Sequence, residues 1–562
     1  MGDSWEAGLA EVQPGFWRRY RWAKWVAGGL LAALAVAACV VDMALHRAEP
    51  FLRARIVEEL ADRFHARVEL DSFHVSLVNG LWAEGNGLRI WPPAHSGGVA
   101  VAQGQGEPLI RLAEFRFHAP LELKPGKPIH ISVVELKGLN VHMPPKSHFE
   151  KAAMESAGSS EAGVIHRNTA DLVSFEVEKI ECAGADLVME TSKPGKLPLK
   201  IRIAHFKLTN IASTQAMGFD AELTNPRPQG TIKTTGSFGP LHGVDLGDAP
   251  LKGEYRFEQA DLGDFNGIAG ILSSTGRYEG TLRDLTVDGQ TQTPDFRLTH
   301  FGTALALATR FHARVDGTNG DTWLEPVEAT LGHSHFIAQG QIVRVVVMEA
   351  GEPPHSIGHD IALSVNVDKA RIEDFMRLAS RSGAVLVTGD VTVKTGLHIP
   401  PGPKPVHERL TMSGSFVLDK ARFASEKIQG RIAELSLRGR GRTDELKTTD
   451  PESILSRIRG DFQMAGGEVT LPALDYTVPG ARIELKGTYG MEGGALDFAG
   501  RAKLEATVSK MVGGWKGLLL TPADRYFKRD GAGTEVPIHI EGTREEPKFA
   551  IDFDRMKQGE KR

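Results

Sequence analysis

FDAELTNPRPQGTIKTTGSFG (Phe219–Gly239), LKGEYRFEQADLGDFNGIAGILSSTGRYEGTLRDLTVDGQ (Leu251–Gln290) and TRFHARVDGTNGDTWLEPVEATLGHSHFIAQGQIVR (Thr309–Arg344) form the stretch that decides the fold. Apolar and polar residues alternate in it, as at Phe219, Ala221 and Leu223 or Phe311, Ala313 and Val315. That is the period of a strand with two unlike faces. Glycines break the runs, and Asn319-Gly320 suits the positive φ angles of a two-residue type I′ hairpin. The stretch holds almost no group able to do chemistry, so function is expected in a surface.

The same alternation extends outward along the chain. It recurs at Phe115 and Phe117, at Ile129, Ile131 and Val133, and at Phe175 and Val177. Near the C-terminus it recurs at Ile483 and Leu485 and at Ile538 and Ile540. No Pro/Ser-rich linker interrupts the chain after about residue 170. A single compact sandwich of 562 residues is improbable, because large sheets curl, split or repeat. The pattern predicts an all-β fold, a long curled antiparallel sheet forming an open groove, extending on the order of 150 Å at a strand spacing of about 4.8 Å. With 62 glycines, many are expected at turns, bulges and bends where the sheet must curve.

Composition sets further bounds. The chain is 41% hydrophobic and 24% charged, with a formal net charge of −5. That balance lacks the basic excess a nucleic-acid partner requires. Only two cysteines occur, Cys39 and Cys182, so no disulfide framework supports the fold.

Residues 26–45 open with VAGGLLAALAVAACVV, which carries no charge and is long enough at a helical rise to match a bilayer core of about 30 Å. Trp17, Tyr20, Trp22 and Trp25 precede it with Arg18, Arg19, Arg21 and Lys24, as an interfacial belt on the cytoplasmic side would. The leading reading is an uncleaved single-pass anchor. A cleaved signal peptide is a second reading, and a lipoprotein lipobox at Val36-Ala37-Ala38-Cys39 a third; all three export the remaining chain. Leu52, Ile56, Leu60 and Phe64 then recur every four residues, predicting an amphipathic helix that caps the first strands or lies on the membrane. Division of the chain follows: 1–25 a cytoplasmic tail, 26–45 the anchor, 46–168 the helix and first strands, 169–505 the central groove, and 506–562 a C-terminal helix (Ala506 to Lys528) with closing strands.

The order of anchor, Leu52 to Phe64 helix and strand Ala66 to Val78 resembles the AsmA-like family of Gram-negative envelope proteins. Val134-Glu135-Leu136-Lys137-Gly138-Leu139-Asn140-Val141 before Pro144, and the closing run Val536 to Thr543, match that family's patterns of strand and turn. Ala260 to Phe265 and Asp368 to Phe375 form two short acidic units ending in Asp-Phe, each feeding a new strand series, which points to an internal repeat. The resemblance implies an inner-membrane-anchored periplasmic β-groove that binds phospholipid or other envelope lipids and serves lipid transport to the outer membrane. The residues expected to line it are the alternating ones named above: Phe115, Phe117, Ile129, Ile131, Val133, Phe175, Val177, Ile483, Leu485, Ile538 and Ile540. The alternative is a non-transporting scaffold for outer-membrane biogenesis, with other envelope proteins as partners.

Catalysis is not expected. No G-x-S-x-G elbow, P-loop or G-x-G-x-x-G after a strand is present, and no cofactor is expected. His333 with His335, and His355 with His359 in the loop-like GEPPHSIGH, have spacings a metal could use, but no third ligand accompanies either pair, so no metal is assigned. Arg438 to Arg442, the sharpest charge cluster, reads as a solvated turn or as a contact for anionic head groups.

Overall fold

Hydrogen bonds join the alternating runs edge to edge. The structure, a computed structural model, describes residues 49–50, 52–61, 66–76, 81–91, 107–119, 129–144, 175–191, 193, 195–211, 215–240, 246–265, 267–299, 303–347, 355–379, 384–491, 493–512, 533–543 and 546–551. Cys39, the segment 26–45 and most of the expected helix beyond Val512 lie outside them. A sheet of 25 strand segments curls into a half-barrel, with short helices at its ends and rims. Residues 217–347 supply eight long strands, from Met217–Pro226 to Ser334–Val347, each antiparallel to the next, and the two-residue segment Ile268–Ala269.

One place departs from the antiparallel expectation. Val133–Met143 runs parallel to Lys179–Met189, and Ile129–Ile131 parallel to Phe175–Val177 in the same register. Parallel neighbours need a crossover that carries the chain back to its starting end. Alternation has the same period in both arrangements, so the sequence could not distinguish them.

Two local expectations are corrected. Asn319-Gly320 is not a two-residue type I′ turn: Asp316 pairs with Asp321 across a four-residue loop, and only Gly320 of that dipeptide has positive φ, +85°. The Asp316 carboxylate accepts from the Thr318 amide (2.9 Å) and Asn319 Nδ2 (2.9 Å), which stabilises the longer loop. GEPPHSIGH is also not all loop, because His355 and His359 both belong to strand His355–Arg371, paired with Ser334–Val347.

The Asp-Phe units share a structural cause. Before each, the strand bulges at a non-glycine residue in the left-handed region, Gln259 (φ 56°) and Lys369 (φ 48°), followed by a buried alanine, Ala260 or Ala370. The bulge turns the chain out of the ladder. The aspartate that follows then caps a neighbouring hairpin turn: Asp264 Oδ2 accepts from the Gln229 amide (2.5 Å), and Asp374 Oδ2 from the His333 amide (2.9 Å) and Ser334 Oγ (2.8 Å). A third copy, overlooked by sequence reading, lies at Lys420 (φ 53°) and buried Ala421. Its signal was the exact tetrapeptide Asp-Lys-Ala-Arg, found at both 368–371 and 419–422. There the chain leads into helix Glu426–Gly439, capped by Ser425, whose Gln429 side chain bridges Phe423, Pro451 and Ile454.

Candidate groove

Residues directly opposite one another in a ladder share a face of the sheet. Followed from strand to strand, the register therefore draws transverse rows. One begins Val75, Ala83, Phe117, Val134, Ile180, Leu208, Phe219. It continues Gly236, Gly253, Tyr278, Val287, Ala313, Leu324, Gly340 and ends Leu363, Leu397, Met412, Met464, Val469, Tyr489, Leu496. A second row, two residues along each strand, contains Phe73, Gly85, Phe115, Leu136, Cys182, Phe206 and Ala221, then Thr234, Tyr255, Gly276, Gly289 and Phe311. A third passes through Phe336, Val367, Val393, Phe416, Gly460, Leu474, Leu485, Gly500 and Ile538. None of these positions carries a charge.

The other face is the reverse. Its corresponding row reads Glu84, Arg116, Glu135, Glu181, Lys207, Asp220, Thr235, Glu254, Arg277, Asp288, His312. Ion pairs tie that row together, among them His312 to Asp288 (2.8 Å). Its hydrogen bond from His312 holds the Asp288 carboxyl below the usual carboxylate range. The apolar face is the one that helix 52–61 covers at the N-terminal end, and farther along a concavity of about 880 Å³ spans six strands, lined by Leu324, Leu363, Leu397, Met412 and Met464 together with Glu325, Gln341 and His398 from neighbouring positions.

Inner-face glycines keep the gutter hollow. A Cβ on Gly289 would lie 2.6 Å from Phe311 Cζ, one on Gly276 2.7 Å from Tyr255, and one on Gly236 2.9 Å from Phe219 Cζ. Aromatic side chains of neighbouring strands thus come over these glycines, where a Cβ would displace them.

The N-terminal end is filled. Helix 52–61 lays Leu52, Ile56 and Leu60 against a core of Phe73, Val75, Ala83, Phe115 and Phe117, with Val134, Leu136 and Val177 beside them. This is the capping role predicted for the amphipathic segment. Along the middle of the gutter Leu363, Leu397 and Met412 are only half-buried and line the concavity of about 880 Å³.

The two rims also meet. Lys193 Nζ reaches Asp316 Oδ2 (2.7 Å), and Lys196 Nζ reaches Asp321 Oδ1 (2.9 Å) and the Arg344 carbonyl (2.5 Å). From strand Lys179–Met189 to strand Leu305–Asp316 is seven steps along the ladder order. These two strands run in opposite directions, so their turns stand on opposite rims. Gly267 and Val406 repeat the relation farther along, with a Cβ on Gly267 only 3.3 Å from Val406 Cβ. Burial raises the Asp316 carboxyl, but hydrogen bonds from Lys193 and Thr318 outweigh it and hold the group below its usual range. His359 is pushed down by burial and by Arg344 and Arg227, keeping it neutral at the same seam. Because Lys196 and Asp321 have side chains only 14% and 5% exposed, Lys196→Met leaves a buried carboxylate without its cation. That variant should lose about 3 kcal/mol of stability, read as a lower denaturant midpoint with an unchanged slope.

The structure gathers most of the sequence-predicted lining residues. Phe115, Phe117, Ile483, Leu485, Ile538 and Ile540 stand in the charge-free rows or in the row beside them, and Ile131 and Val177 join the core under the N-terminal helix. Ile129 and Phe175 are paired strand residues whose side chains lie outside the described set. Val133 is opposite His118, on the other face, because the strand bends at Ser132 and Val134 takes the inward phase. His333 falls in a turn and His335 in a strand, and no group of three His, Cys, Asp or Glu able to hold a metal occurs among the described residues. The arginine run is taken up locally: Arg438 binds Glu434 (2.7 Å) and the Met511 carbonyl (2.8 Å), and Arg442 pairs with Glu445. Cys182 lies buried in the second row, where burial raises its thiol pKa. Among the described residues no helix is long and apolar enough to cross a membrane. In comparisons with known proteins, no family model, no curated protein and no solved structure matches this chain.

Proposed function

We propose that this protein holds lipid acyl chains on its charge-free inner face and contributes to lipid transport toward, or biogenesis of, the outer membrane. Anchored through residues 26–45 in the inner membrane, its remaining chain stands in the periplasm. The observation that carries this reading is the set of transverse rows: apolar and half-buried in mid-sheet, they run from strand to strand without a charge. Soluble proteins rarely leave a long contiguous apolar surface uncovered without a partner for it. An acyl chain gains roughly 0.8 kcal/mol per CH₂ removed from water, and the charged outer face keeps the assembly wetted. Where the rims touch, a passing head group has to part the lysine–aspartate pairs.

The test is the lipid content of the purified chain. Mass spectrometry should find phospholipid or another acylated lipid in stoichiometric amount, retained after delipidating washes that clear a control membrane protein. A chain recovered lipid-free under those conditions would instead favour a scaffold that assembles envelope proteins.

A further inference from the structure

The lining is not uniformly hydrocarbon. Between strands Gln229–Phe238 and Leu305–Asp316 the inner face carries three hydroxyl pairs. Thr234 Oγ1 lies 2.5 Å from Tyr278 OH, Tyr255 OH 3.0 Å from Ser274 Oγ, and Thr291 Oγ1 2.7 Å from Thr309 Oγ1. Thr234 and Ser274 are more than nine-tenths buried. Thr293, two residues beyond Thr291 on the same face, is 1% exposed and its hydroxyl has no hydrogen-bond partner. The belt is floored by glycine: a Cβ on Gly253 would sit 2.7 Å from Tyr278 OH, and one on Gly289 2.6 Å from Tyr255 OH.

A purely apolar lining of valine and phenylalanine would hold a plain alkyl chain, so the belt calls for another account. Each hydroxyl offers one donor and two acceptor sites; Thr234 Oγ1 spends its donor on the Glu254 carbonyl (2.8 Å), while the Tyr255–Ser274 and Thr291–Thr309 pairs each keep a donor unused. An ionised group gains nothing from these positions, since none of the rows the hydroxyls stand in carries a charge. An uncharged oxygen does, because it replaces its lost water bonds.

We infer that this belt is a registration site for an uncharged oxygen function carried on an alkyl chain, an ester carbonyl or a chain hydroxyl, halting a lipid at mid-groove. The inference rests on the acyl-chain reading of the groove. Burial raises the phenol pKa of both Tyr255 and Tyr278, which keeps them protonated donors at neutral pH.

The experiment measures binding of three neutral probes of matched chain length, hexadecane, methyl palmitate and hexadecanol, to the full chain held in amphipol. Wild type should bind at least one oxygenated probe five- to tenfold more tightly than hexadecane. The variant carrying Tyr255→Phe, Tyr278→Phe, Thr291→Val and Thr309→Val should lose that preference while its hexadecane affinity stays within twofold. Tighter binding of methyl palmitate points to a glycerolipid ester, tighter binding of hexadecanol to a hydroxylated chain, and either supports the belt. Thr291→Ser with Thr309→Ser, which keeps the hydroxyls, should retain the preference and serves if the fourfold variant does not fold. Equal affinity of wild type for all three probes, or a preference unchanged by hydroxyl removal, overturns the inference alone. Failure of wild type to bind any probe overturns the acyl-chain reading as well.

Discussion

Leu363→Arg should abolish lipid loading while leaving the protein folded. Leu363 is half-buried in the first transverse row, between Gly340 and Leu397, within the six-strand concavity. A guanidinium there stands in a row that holds no carboxylate, and an alkyl chain passing over it desolvates the charge at a cost of several kcal/mol. Since about 1.4 kcal/mol is tenfold in affinity, bound lipid should fall by roughly a hundredfold or more. The folded state suffers less, because an arginine in a half-open gutter can extend its head to water. Thr235→Arg is the control. Thr235 stands exposed on the outer face between Asp220 and Glu254, where a positive charge is welcome, so loading should stay at the wild-type level. Lipid quantified by mass spectrometry in both variants, with thermal melts alongside, separates the outcomes. Equal loss of lipid in both would mean that the inner face is not the lipid path.

Asp374→Ala should be among the most destabilising single substitutions in the central sheet. Its carboxylate is buried, 1% exposed, and takes hydrogen bonds from the His333 amide and Ser334 Oγ at the hairpin turn it covers. Removing it strands the His333 amide and leaves Ser334 Oγ only the Arg371 carbonyl (3.2 Å), at about 1–3 kcal/mol for each buried group left unsatisfied. A loss of about 3 kcal/mol is expected, measured as a shift in denaturant midpoint. Asp264 performs the same capping at a half-buried position, through a solvent-exposed bond to the Gln229 amide that water can replace. Asp264→Ala should therefore cost less than about 1 kcal/mol. If the two substitutions cost the same, the repeated unit would not be acting through buried capping.

These units show where sequence reading succeeds and where it stops. The two Asp-Phe copies were visible as text, but the third was not matched because it lacks that dipeptide and keeps only Asp-Lys-Ala-Arg. What unites all three is a bulge with one residue at positive φ above a buried alanine, a property of backbone and packing. Val133 carries the same lesson at one residue. Alternation from Ile131 predicts that it points inward, and the bend at Ser132 hands that phase to Val134. A one-residue slip exchanges the faces of a strand, and no local pattern announces it. The inner-face glycines were expected at turns and bends. Their positions beneath Phe311, Tyr255 and Phe219 depend on which strands stand beside which.

By itself the sequence determined the mostly β class, the two-faced strands and the amphipathic helix that begins at Leu52. Each of these depends on residues near one another in the chain, where the period of hydrophobicity and the chemistry of turns act directly. Only the tertiary structure decided that Val133–Met143 pairs in parallel with Lys179–Met189, and that Lys193 and Lys196 meet aspartates on the opposite rim. It alone also aligned uncharged residues from successive strands into continuous rows. Register, curl and strand neighbours couple residues a hundred or more positions apart, and a side chain's face can be assigned only once its partners across the ladder are fixed.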